Sequence, residues 1–289
     1  MDNPCYVKQN KPILKEGFMD TLEMKKYILE FQKNDASNRI SEDIAKKPGY
    51  VGRKIHDGVI CGVAAADDEI IASLKNNKEA NIDMMQPEEW LPGAKSVISF
   101  FMPFERWITE ENAGGNWPSG AWMHGRIEGQ AFANKVFSAL ADKLRDDGHK
   151  AVIPSLDPRI KVFMKFAGYY ESLYTANWSE RHVAFAAGLG TFGLSRGLIT
   201  ELGMAGRFMS VVTTLAITPT PRPYTDLLEY CAKCGDCVSA CPPKAISIEH
   251  LKDHDICDAY LLDIRQKEEP YYGCGKCQCG VSCSFASTS

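Results

Sequence analysis

Residues 231–242 read CAKCGDCVSACP, in which Cys231, Cys234, Cys237 and Cys241 form a C-x2-C-x2-C-x3-C run closed by Pro242. Thiolates at this spacing suit a cubic [4Fe–4S] cluster. Two-residue spacers let three thiolates wrap one face of a cube within a tight turn. The fourth cysteine follows a longer spacer, points away from that cube and serves a second one. Zinc sites more often use two separated C-x2-C pairs, so iron–sulfur is the better reading. The run leaves one ligand missing from the first cluster and three from the second. Downstream stand Cys257, Cys274, Cys277, Cys279 and Cys283, five thiols for four places. The last four lie within YYGCGKCQCGVSCSF, residues 271–285, at the uncommon spacing x2, x1, x3.

The elements that must position these thiols belong to a chain of 289 residues, room for one large domain and a small one. Nine of the eleven cysteines fall between Cys231 and Cys283. A disulfide framework suits a small secreted chain, whereas clustered thiols in a reducing compartment serve metals. The remaining two, Cys5 and Cys61, carry no motif and read as free thiols. The net charge of −4 gives no electrostatic case for nucleic acid in general. The N-terminus has no apolar leader and no twin-arginine pair, and no apolar stretch approaches the roughly 20 residues of a membrane helix. The expectation is a cytoplasmic protein with no membrane contact.

Residues 19–34 read as an amphipathic helix. A turn at Pro92-Gly93 precedes an apolar run, to residue 104, that reads as a buried strand. Residues 112–120 read as a loop, 124–147 as a helix ending before Gly148, and 150–156 as a strand. Residues 179–190 suggest a helix with Ser179 as N-cap and Gly188 as C-cap. Residues 207–217 are β-branched and apolar, a buried strand. Three prolines in TPTPRPY, residues 218–224, mark a linker. The expected domains are therefore 1–222, an α/β body, and 223–289, the cysteine-rich part.

Gly188, Gly190 and Gly193 match G-x-G-x-x-G literally. A dinucleotide fingerprint must follow a strand, and here the preceding run reads as helix. The glycines still imply close backbone approach, to a ligand or to another strand.

Taken together, LPGAKSVI (91–98), ER…A…AGLGTFG (180–193), GLIT (197–200), the strand near 207–217 and the paired cysteine runs resemble the epoxyqueuosine reductase-like proteins, relatives of the reductive dehalogenases. The resemblance spans roughly residues 85–285. It implies an α/β, nitroreductase-like domain that binds a corrinoid (cobalamin), followed by a ferredoxin-like domain with two [4Fe–4S] clusters. It implies Cys231, Cys234, Cys237 and Cys283 for one cluster, and Cys241, Cys257, Cys274 and Cys277 for the other. The last spacer departs from the family's C-x2-C-x3-C-P: five residues separate Cys277 from Cys283, with Cys279 between them and no proline after. Cys283 has the longer reach, which leaves Cys279 as a free thiol.

The resemblance also makes Gly188, Gly190, Thr191, Gly193 and Ser195 candidate corrinoid-binding positions. The family's proposed proton donor is an aspartate six residues before the Glu-Arg pair. Tyr174 stands there, so epoxyqueuosine is not carried over as the substrate. Reductive dehalogenases are similar in using a tyrosine acid. A phenol near its reference pKa of about 10 can deliver a proton if Arg181 or His182 stabilises the phenolate; otherwise Tyr174 is a packing residue. His124 and Arg126 could reach a corrinoid amide or phosphate, or serve as ordinary cap groups. Trp122 and Trp178 could stack on a macrocycle or fill the core.

The implied function is an iron–sulfur oxidoreductase that passes electrons through two clusters to a bound corrinoid and reduces a small organic substrate. Its partners would be that substrate and an external low-potential donor of ferredoxin or flavodoxin type, with tRNA the one nucleic acid the family suggests. Two alternatives stay open: a non-catalytic two-cluster electron carrier or activase for a corrinoid protein, and a reductase on the same scaffold with a flavin.

Overall fold

The computed structural model describes residues 19–162 and 176–285. Helix α1 (Thr21–Asn34) starts at Asp20. The Asp20 side chain accepts from the Glu23 amide at 2.8 Å and the Glu23 side chain accepts from the Asp20 amide at 3.0 Å. This reciprocal box satisfies two of the donors that every helix start leaves over. Then come β1 (Ile60–Ala65), the short helices α2 (Glu69–Ser73) and α3 (Pro87–Trp90), β2 (Ser96–Pro103), α4 (Arg106–Glu111) and the long α5 (Gly120–Asp146). They are followed by β3 (Ala151–Val152), α6 (Glu180–Ala186), the hairpin β4 (Gly190–Phe192) and β5 (Leu198–Thr200), and β6 (Gly206–Thr213). After the proline-rich linker come α7 (Asp236–Ser239), the hairpin β7 (Ile246–Ser247) and β8 (Leu251–Lys252), and α8 (His254–Glu268).

The body is mixed α/β. One antiparallel sheet runs in the order β1-β2-β6-β3. Its two central strands are buried on both faces, which is why β2 reads as a continuous apolar run rather than an alternating one. Ile98, Phe100 and Met102 of β2 pack with Phe132, Val136 and Phe137 of α5. The alternate residue Val97 packs on the other side with Trp178 and with Val183 and Ala187 of the α6 region. Strand periodicity thus assigns one face to α1 and α5 and the other to α6. Among the described residues, no helix is long and apolar enough to cross a membrane.

Several boundaries differ from the sequence reading. Helix α5 starts at Gly120 rather than near 124, because Ser119 caps it by accepting from the Trp122 amide at 3.1 Å. The strand expected over 150–156 is two residues long, since Pro154 turns the chain into a 3₁₀ turn. Helix α6 ends at Ala186, with Ala187 as its C-cap, and Ser179 makes no capping bond; its hydroxyl pairs with His182 Nδ1 at 2.7 Å instead.

The sheet meets α6 most tightly at Gly62. A Cβ there would lie 2.1 Å from the Ala187 carbonyl oxygen, which ends the helix. Gly62→Ala should therefore cost about 2 kcal/mol in denaturant unfolding. Gly49→Ala, whose added Cβ would meet nothing within 4 Å, should stay within roughly 0.5 kcal/mol of the parent.

Candidate cluster sites and the adjoining cleft

The first cysteine run sits on a tight turn. Gly235, at φ +83°, leads into α7, which carries Cys237. The tail reaches this turn from the far end of the sequence. Asp236 accepts from the Ser282 amide at 3.0 Å and from the Ser282 hydroxyl, and so holds Cys283 over α7. Cys231, Cys234, Cys237 and Cys283 line one shallow cleft together with Gly193 and Ser195. Burial, followed by the nearness of Cys237, pushes the Cys283 thiol up to about 12. Burial also pushes Cys237 up to about 11, with Cys277, Cys231 and Cys234 adding to the effect. Neutral thiols crowded in this way become stable thiolates only when cations share the site.

A second group gathers beside it. Cys257 comes from α8, and Cys274 and Cys277 flank the turn at Lys276. Cys274 is raised to about 12 by burial and by Cys277 and Cys257, partly offset by the Lys276 amide. Tyr260 of α8 lies near both Cys274 and Cys241. Cys241 accepts the Ala245 amide at its sulfur, at 3.2 Å. Lys252 reaches the Cys257 thiol and counters part of the rise that burial gives it. Cys277 stands between the groups and influences both Cys237 and Cys257. Among the described residues, no three His, Cys, Asp or Glu side chains converge as they would around a single ion. Zn–S bonds of about 2.3 Å would draw the sulfurs together. Cys237 and Cys241 are buried together with Leu194, Ala245, Ile246 and Val281, and Cys231, Cys257, Cys277 and Cys283 pack against them.

Cys279 does not line the first cleft. It is buried among Trp107, Trp122 and Ile108, and its sulfur accepts from Asn112 Nδ2 at 3.4 Å. The same Asn112 nitrogen donates to the Cys274 carbonyl at 3.0 Å. The extra cysteine thus anchors the tail to the body.

Comparisons with known proteins find two kinds of reductase. No protein-family model matches the chain. Over 206 residues it is 27% identical to an epoxyqueuosine reductase of Xanthomonas campestris, covering 67% of this chain and 53% of that protein. Over 115 residues it is 33% identical to a tetrachloroethene reductive dehalogenase of Desulfitobacterium hafniense, covering 39% of this chain and 20% of that protein. This chain is similar to both kinds of reductase. It spans about half the length of the first and a fifth of the second. A solved reductive dehalogenase, described as suggesting a mechanism for B12-dependent dehalogenation, superposes over 83% of this chain and 33% of its own, with 16% identity and a TM-score of 0.44.

The remaining candidates separate clearly. Tyr174 and Cys5 lie outside the described residues. The close approaches at Gly188 and Gly190 are to the chain itself: a Cβ added at each would meet the Pro221 carbonyl oxygen at 2.9 Å and the Ile199 carbonyl oxygen at 1.9 Å. Thr191 Oγ1 accepts the Tyr230 amide at 2.8 Å. These three positions therefore fix the linker and the β4–β5 hairpin, while Gly193 and Ser195 border the first cysteine cleft. His124 is a satisfied core residue, with Nδ1 on Glu128 at 2.8 Å and Nε2 accepting the Lys46 amide at 3.0 Å. Trp178 donates to Ser210 at 2.9 Å within the core, and Trp122 packs edge-on against Phe104. Burial raises the Cys61 thiol to about 12, which makes it an inert packing group.

Sequence reasoning missed Glu180. Both of its carboxyl oxygens are shielded from solvent and make no hydrogen bond of good geometry. Burial pushes the carboxyl up to about 7, and the nearby Ser210 and Ser155 hydroxyls draw it back only in part. The native state then holds a proton that the unfolded chain releases near 4.5, so stability should fall as pH rises from about 4.5 to 7 and level off above that. Glu180→Gln should flatten this slope and gain roughly 3 kcal/mol above pH 7, read from denaturant midpoints across the pH range.

Proposed function

We propose that the chain is a corrinoid-dependent iron–sulfur reductase. A ferredoxin-like segment, residues 223–289, holds two [4Fe–4S] clusters, and a nitroreductase-like body, residues 1–222, faces the corrinoid and a small organic substrate. Cys231, Cys234, Cys237 and Cys283 hold the first cluster; Cys241, Cys257, Cys274 and Cys277 hold the second. The observation that carries this reading is the return of Cys283 to the first run while Cys257, Cys274 and Cys277 collect beside Cys241. When bound, the clusters supply one-electron carriers and the corrinoid supplies a low-potential two-electron reductant.

The chain's own residues do the rest. Lys252 at Cys257 and the Ala245 amide at Cys241 lower the cost of thiolate charge in a buried place. Arg181, on α6, is near enough to Cys277 to feel its charge, which brings α6 up to the second cysteine group. Cys234 is exposed, so the first group is the face toward an external donor of ferredoxin or flavodoxin type. Tyr174 is the proton donor implied by the resemblance. Reduction of a substrate bond needs this proton delivered while the guanidinium of Arg181 offsets the negative charge left on the phenol.

The test is anaerobic purification with iron analysis, absorbance and EPR, with and without added cobalamin. About eight irons per chain and a cobalamin-dependent cobalt(II) signal are expected. Cys279→Ser should keep about eight irons, whereas Cys283→Ser should fall to about four and lose one cluster's signal. The reverse pattern would overturn the ligand assignment, and zinc in place of iron would overturn the reading. Full iron content without cobalamin binding would favour the electron-carrier alternative.

A further inference from the structure

Arg126 of α5 and Arg207 of β6 meet where the body touches the tail. Arg207 Nη2 donates to the Arg126 carbonyl oxygen, and the Arg126 guanidinium stands 4.7 Å over the Tyr272 ring. The tail backbone runs against it: a Cβ on Gly273 would lie 3.0 Å from Arg126 Nε. Arg207 is only 9% exposed. The Nε atoms of both arginines are shielded from solvent and have no hydrogen-bond partner among the described residues. Arg181 is close enough to add its charge to Arg207.

Among the described residues, the positive charge here is uncompensated. The arginine ion pairs involve Arg106, Arg145, Arg159 and Arg222, and none involves Arg126, Arg181 or Arg207. Glu180, next in sequence to Arg181, turns towards Ser210 and Ser155. Further along, Arg196 and Lys252 extend the same sign and, with burial, push the His254 imidazole down to about 4, so it stays neutral; Asp253 beside it is an acidic neighbour. Arg126 and Arg207 are held below their ordinary value by burial first and, for Arg207, then by Arg126, while Arg181 is an exposed residue at their side. A guanidinium does not surrender its proton in this range, so the charge stays and awaits an anion. Two forked donor groups beside a phenol match an oxyanion rather than a halide or an apolar ligand.

We infer that Arg126 and Arg207, with the Tyr272 hydroxyl and flanked by Arg181, form an oxyanion site that takes the carboxylate or phosphate of a small anionic ligand. The assignment of that anion to a substrate rests on the reductase reading proposed above; the binding itself does not, and it is measured without corrinoid. Protein carrying its iron–sulfur clusters is titrated with inorganic phosphate and with acetate, against chloride at matched ionic strength, by calorimetry and thermal melting. Saturable binding and a higher melting temperature are expected for the parent. Arg207→Gln and Arg126→Gln should weaken binding about tenfold to a hundredfold. Without the anion, neither variant should melt earlier than the parent, because each removes an unbalanced charge.

Arg126→Lys keeps the charge but loses the fork, so it should recover only part of the affinity; it also serves if Arg207→Gln fails to fold. Equal phosphate binding by parent and variants, or a response that chloride reproduces, would sink the site. A second arm compares cobalamin with cobinamide, which lacks the nucleotide phosphate. An unchanged preference in Arg207→Gln assigns the oxyanion to a substrate. A loss confined to cobalamin assigns it to the corrinoid's phosphodiester at the same site. Failure to bind either corrinoid would count against the reductase reading and leave the phosphate titration standing.

Discussion

The docking of residues 271–285 onto the start of α5 is the constraint on which the other parts depend. Gly275, at φ +66°, lies so close to Trp122 that a Cβ would approach the indole to 2.0 Å. Around it, Lys276 Nζ donates to the Asn112 and Gly114 carbonyls at 3.0 and 2.6 Å, and Asn112 donates to the Cys274 carbonyl and the Cys279 sulfur. A glycine pressed on an indole and a buried lysine with two acceptors fix the tail in one register. That register delivers Cys283 to the first run, Cys274 and Cys277 to the second group, and Tyr272 to Arg126. The docking also explains the odd spacing. Cys279 takes up one position, and its buried thiol accepts from the same Asn112 that holds the Cys274 carbonyl.

Much of this was legible because it is local. The C-x2-C-x2-C-x3-C-P run predicts its own deficit of ligands, and α1 and the continuous apolar strands β2 and β6 follow from periodicity. What escaped reading depends on distant partners. The glycines at 188 and 190 suggested close approach correctly, but no pattern says that the neighbours are Pro221 and Ile199. Helix α5 gained its first turn from Ser119, inside a stretch whose glycines and proline read as loop. Helix α8 carries Asp253 as an N-cap, whose side chain accepts the Ile256 amide at 3.0 Å, a signal that could have been read. The arginine group could not have been found that way, since Arg126, Arg181 and Arg207 come from three separate elements.

The chain deals with its buried charges in contrasting ways. Among the described residues, Glu180 has no cation within hydrogen-bond reach, and the pocket keeps it about half protonated near pH 7. Lys252 is deeply placed as well, yet it is held above its ordinary value because the charge of Cys277 and Cys257 outweighs the burial that would lower it. The guanidinium groups of Arg126 and Arg207 cannot turn neutral, and among the described residues no carboxylate pairs with them.

These differences separate structural charge from charge directed at a ligand. Lys252 and, in part, Arg181 are answered by thiolate sulfurs, so their positive charge serves the cysteine groups. Arg126 and Arg207 have the Tyr272 phenol beside them and, among the described residues, no carboxylate. In a chain of net charge −4, such a pair is not general attraction for polyanions. A buried cation without a counter-ion costs several kcal/mol, and surrounding hydrogen bonds do not remove that cost. Its position, between the sheet that carries Arg207 and the tail that carries the thiols, is where an anionic ligand would touch both halves of the chain.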